Sequence, residues 1–111
     1  MSPDDVMELV RSQIAGRPSL PNSHGVDLER CLVWPATIQV IDRSVRDGRL
    51  EDTVETVWLI LEEQRPGKDG YRIVFNEQRM LFGLASPGFK TDRHLVLCGY
   101  YGSFPKTLQC M

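Results

Sequence analysis

The chain has 111 residues, 41% of them apolar and 25% charged, with a net charge of −2. That length suits a single domain over residues 1–111, and the composition excludes a disordered or fibrous chain. The longest apolar run, Val57 to Leu61, is the size of a strand, so no membrane-spanning helix is expected.

The first five residues, Met1-Ser2-Pro3-Asp4-Asp5, are acidic and polar, which does not fit a secretion signal. Cys31, Cys98 and Cys110 are an odd, widely spaced set. Such a set argues against a disulfide framework and fits a cytoplasmic protein. Cys31 and Cys98 read as small core residues, and Cys110 as an exposed thiol. Charge is unevenly distributed: residues 1–63 hold six Arg, no Lys and twelve acids, whereas residues 64–111 hold seven Lys or Arg and three acids. The basic residues Arg65, Lys68, Arg72, Arg79, Lys90, Arg93 and Lys106 are scattered, unlike the concentrated patch of a nucleic-acid binder.

The first predicted element is a helix opened by Ser2, with Pro3 in its first turn and Asp5 completing a capping box. Val6, Leu9, Val10 and Ile14 recur at spacings of three and four and form one apolar stripe. Gly16 and Pro18 end it, and residues 17–27 read as a loop. Leu32-Val33-Trp34 reads as the end of a strand broken by Pro35. Residues 37–45 fit either state. A helix would align Ile38, Ile41 and Val45, while Thr37, Ile38, Val40 and Ile41 favour a strand, the reading adopted here. Asp47-Gly48 is a turn signal in both cases.

Val57-Trp58-Leu59-Ile60-Leu61 is apolar on both faces, as a central strand covered on both sides would be. The segment from Gln64 to Gly70 reads as a hairpin loop. In the next strand Tyr71, Ile73 and Phe75 share a face. A turn over Asn76 to Arg79 leads to a third strand, with Met80, Phe82 and Leu84 on one face and Gly83 marking a bulge or close backbone approach. Residues Ser86 to Arg93 form a loop, and Leu95 to Gly99 a fourth strand. Ser103 caps a short final helix with Pro105 in its first turn. The fold class is therefore α+β: an antiparallel sheet of four to five strands with an N-terminal helix and a short C-terminal helix packed against it.

The segments Val57 to Glu63, Asp69-Gly70-Tyr71, Phe82 to Ala85 and the ending Gly99-Tyr100-Tyr101-Gly102-Ser103-Phe104 with Thr107-Leu108 and Met111 form one pattern. From Val57 onward the chain thereby resembles a set of small bacterial proteins of unassigned activity, of the type associated with the immunity partners of toxin systems. The resemblance implies a bacterial protein that binds another protein. It carries no catalytic residues, because its pattern consists of core, turn and cap positions.

The chemical motifs point the same way. His24 and His94 are far apart in sequence and neither belongs to a close cluster of ligands, so no metal site is expected. No glycine pair leads into Lys-Ser or Lys-Thr, so no phosphate loop and no cofactor are expected. His94 and Cys98 lie four apart on one predicted strand, roughly 13 Å, which is too far for a nucleophile and its base. No catalytic residue is assigned. Asp47, Glu51, Asp52 and Glu55, opposed only by Arg49, follow a turn and precede the most apolar strand. They are the candidate surface for a basic protein partner, with Trp34 as an aromatic contact. Three functions stay open: a non-catalytic binding module, including a stoichiometric inhibitor of the immunity type; a small enzyme with a dispersed site such as His94, Glu62 and Tyr100; and a structural subunit that forms a homodimer through a sheet edge. Nucleic-acid and membrane partners are not expected.

Overall fold

The computed structural model describes residues 1–15, 25–63 and 70–111. The expected helix stop at Gly16 and Pro18, His24, most of the 17–27 loop and residues 64–69 of the hairpin loop lie outside the described residues. Helix α1 spans Pro3–Ile14, α2 Leu28–Cys31 and α3 Phe104–Gln109. Five strands lie between them: β1 Leu32–Arg46, β2 Arg49–Glu62, β3 Arg72–Asn76, β4 Leu81–Ser86 and β5 Leu95–Gly102. No helix among the described residues is long and apolar enough to cross a membrane.

The helix ends follow the expected chemistry. The Ser2 hydroxyl accepts from the Asp5 amide at 3.2 Å, and the Asp5 carboxylate accepts from the Ser2 amide at 2.9 Å. Ser103 caps α3 by accepting from the Lys106 amide. The one-turn α2 was not foreseen; Asp27 caps it by accepting from the Glu29 amide at 3.0 Å.

The sheet is mixed with helices as expected, but it is not open. Its strands run in order β1-β2-β3-β4-β5 and close into a barrel. Neighbours are antiparallel except at the seam, where Val40 pairs with Leu95 and Ile41 with Val96 in parallel. A meander of five strands must close this way, because its first and last strands point in the same direction. Closure needs curvature, and local irregularities in the ladders supply it. The first corrects the reading of Pro35: β1 runs through it, and the register slips between Leu32 and Ala36. Proline cannot donate to a ladder, so it sits where the ladder is already interrupted. The others lie between Leu59 and Leu61 of β2 and in the β4–β5 ladder around Cys98 and Tyr101. Residues 37–45 belong to β1 and are strand.

Two apolar cores result. The larger joins Val6 and Val10 of α1 and Phe104 and Leu108 of α3 to the outward faces of β2, β3 and β4, among them Trp58, Ile60, Ile73, Phe75, Phe82 and Leu84. The Gln13 side chain accepts from the Phe104 amide at 2.7 Å and ties the two helices together. The smaller core takes one buried or half-buried residue from every strand: Val40, Val57, Val74, Ala85 and Leu97. Only the barrel interior lets five successive strands converge, so this cluster is the inside. Two burial expectations change with it. Leu59 is half-buried at the end of the interior, and Cys98 is exposed because the extra residue of the bulge turns outward. Cys31 is buried, and Cys31, Cys98 and Cys110 are all free thiols.

Candidate functional site

Between Trp58, where pairing with β3 begins, and Ile41, where pairing with β5 ends, β1 and β2 pair only with each other among the described residues. They form a projecting hairpin, in a molecule measuring 46 × 31 × 20 Å. Its tip is the expected turn: Asp47 and Gly48 have φ of 52° and 75°, the pair of positive values that a two-residue type I′ loop requires.

Strand alternation divides the hairpin's residues between two faces. One continues the barrel interior, with Val40 opposite Glu55, Asp42 opposite Thr53 and Ser44 opposite Glu51. The other carries Ile41 opposite Val54, Arg43 opposite Asp52 and Val45 opposite Leu50. On this second face Val45, Leu50 and Val54 are 55–71% exposed. Arg43 sits among them and clamps two elements. It donates to both carboxylate oxygens of Asp52 at 2.8 and 2.9 Å, and to both of Asp92, in the β4–β5 loop, at 2.8 and 3.2 Å. Its guanidinium lies 5.5 Å from the ring centroid of Phe89, which is 69% exposed. Hydrogen bonds from Arg43 hold the Asp52 and Asp92 carboxyls below the usual range, and the same bonds raise Arg43. The result is an exposed apolar strip of Val45, Leu50, Val54 and Phe89 crossed by one internally paired charge cluster that keeps a net negative charge.

The predicted acidic set is thus distributed. Asp47 is at the tip, Glu51 lies 3.5 Å from Arg46, and Asp52 is held by Arg43. Glu55 faces inward and accepts from the Tyr100 hydroxyl at 2.5 Å. That hydroxyl accepts from the Asn76 amide at 2.9 Å, and Arg79 lies 3.6 Å from Glu55. Glu55 therefore belongs to a polar plug joining β2, β3 and β5 at one end of the barrel. Trp34 is 58% exposed at the β1 irregularity, towards the opposite end of that strand from the acids.

Burial, and then the Glu55 hydrogen bond, push the Tyr100 hydroxyl up to about 12 from its ordinary 10.0. A raised value means that the folded state holds the proton more tightly than the unfolded chain. The associated stability is complete below pH 10.0 and disappears as pH rises through about 12. Tyr100→Phe should therefore lose stability less steeply across that interval than the native protein, as measured by urea midpoints at successive pH values.

The opposite ends of β2, β3 and β5 carry Glu62, Arg72 and, just before Leu95, His94. Here the barrel mouth opens into a cleft of about 580 Å³. Ile38, Leu59 and Leu95 supply its apolar surface, Thr37, Gln39 and Thr56 line it beside them, and Glu62, Arg72, Arg93 and His94 complete it. Sequence reasoning placed Glu62 and His94 in one hypothetical site, and the fold brings them to this cleft, but it leaves Tyr100 at the far end. It missed Arg72 and Arg93, which look scattered until the barrel closes. No group of three or more His, Cys, Asp or Glu able to hold a metal ion occurs among the described residues.

Comparison with protein families, curated proteins and solved structures finds no match to this chain.

Proposed function

We propose that the protein is a non-catalytic binding module that holds a protein partner with its β1–β2 hairpin. The observation that carries this reading is the strip of Val45, Leu50, Val54 and Phe89, exposed together on one side of the hairpin and its neighbouring loop. Large apolar side chains exposed together on a folded domain mark contact sites, because water gains when they are covered. Over both faces of the hairpin, residues 42–55 hold five acids and three arginines. That excess favours a basic partner and supports a stoichiometric inhibitor of the immunity type.

The two components of such a surface act on different rates. Apolar contact governs dissociation, while exposed charge governs association and is weakened by salt. With a partner captured from the native cell, Leu50→Ser combined with Val54→Ser should speed dissociation by about tenfold or more. Reversing Glu51 and Asp52 to Lys should slow association by about tenfold at low salt. Surface-binding kinetics at two salt concentrations read both effects. A partner whose rates are the same for all three proteins does not bind the hairpin, and the proposal fails.

A further inference from the structure

We infer that the cleft at the barrel mouth is a binding site for a small amphipathic organic acid, a monocarboxylate with an apolar body. Its floor is unfinished barrel core. Ile38, Leu59 and Leu95 face inward and pack on the buried Val40–Val57–Val74–Ala85 cluster, yet they stay partly exposed because nothing among the described residues fills the space beyond them. An apolar chain laid on them would complete that core. At about 580 Å³ the cleft has the size of a small-molecule site.

The rim sets the sign of the ligand. Among the described residues that line the cleft, Arg72 and Arg93 are countered by one carboxylate, that of Glu62, and His94 adds no negative charge. Glu62 stands directly opposite Arg72 in the β2–β3 ladder, but among the described residues the two form no ion pair. Arg72 instead donates one N–H to the Gly70 carbonyl at 2.7 Å, which orients its planar group and leaves its other donors for a ligand. A guanidinium presents paired donors that match a carboxylate. A cationic rim above an aliphatic floor therefore selects a carboxylate with an aliphatic tail over a bare anion or an amine. This site lies apart from the hairpin strip and does not depend on it.

Octanoate titrated into the protein, followed by amide ¹H–¹⁵N spectra, tests the inference. Saturable shifts are expected at Ile38, Leu59, Glu62, Arg72 and His94. Arg93→Gln alone, an exposed change that should leave the fold intact, should weaken binding several-fold, and Arg72→Gln with Arg93→Gln by about tenfold or more. Octylammonium should bind at least about tenfold more weakly than octanoate, and inorganic phosphate should leave the floor residues unshifted. The inference is overturned by an absence of saturable octanoate shifts, by equal response to octylammonium or phosphate, or by native affinity in both folded variants.

Discussion

Truncating Phe82 to alanine should lower the free energy of unfolding by about 3–5 kcal/mol. The side chain is buried on the outward face of β4, in the layer between the sheet and the helices. Its ring centroid lies 4.6 Å from that of Phe75 on the neighbouring strand and 5.8 Å from that of Phe104, where α3 begins. The contact with Phe104 is edge-on at 76°, the arrangement that sets the positive edge of one ring against the electron-rich face of another. Phe82 thus joins two adjacent strands and the C-terminal helix, and its removal leaves a cavity that three elements would have to collapse to fill. Phe82→Leu keeps most of the volume and should cost less than about 1.5 kcal/mol. Urea unfolding measures both. A truncation within about 1 kcal/mol of the native protein would show that α3 does not depend on this layer.

Helix ends, turns and the alternation of this strand were legible because each is a local pattern. Ser2 with Asp5, Ser103 with Pro105, and Asp47-Gly48 each satisfy a backbone requirement within a few residues of themselves. Barrel closure is different in kind. It rests on Val40 and Ile41 meeting Leu95 and Val96 more than fifty positions later, and no local pattern encodes that meeting. The irregularities that permit it also break the period of two from which burial is read. Cys98 lies in an apolar run and so looked like core, but the bulge turns it outward, where its sulfur sits 3.4 Å from the Ser86 hydroxyl. Pro35 reads as a strand end because proline cannot donate to a ladder, and only the slipped register shows that β1 runs through it. The cleft was hidden because Glu62 resembles a strand reaching solvent and Arg93 a loop residue until closure sets them around one opening. The acidic stretch was visible as composition, but β2 is strand throughout it, so its residues fall alternately on two faces. Only the pairing then shows that Asp52 meets Arg43 and that Glu55 turns inward to Tyr100.

Placing a methyl group on Gly83 should cost about 1–3 kcal/mol, shared between the Gly99 carbonyl and the Tyr100 ring. Gly83 lies on β4 opposite Tyr100, and its backbone has no left-handed conformation that would by itself demand glycine. The constraint is space. A Cβ there would stand 2.6 Å from the Gly99 carbonyl oxygen and 2.8 Å from Cδ1 of the Tyr100 ring. The ring cannot swing aside freely, since its hydroxyl is held by Glu55 and Asn76 from two other strands. Gly83→Ala must therefore either push β5 away, which strains the ladder beside the plug, or break the plug itself. The two routes separate in a double-mutant cycle with Tyr100→Ala, which removes the ring and leaves the Gly99 carbonyl in place. If the ring carries the strain, Gly83→Ala should cost less in the Tyr100→Ala background, by a coupling of roughly 0.5–3 kcal/mol. Equal costs in the two backgrounds would assign the constraint to the β4–β5 backbone alone, and Gly83 would then be a requirement of barrel closure rather than of the plug.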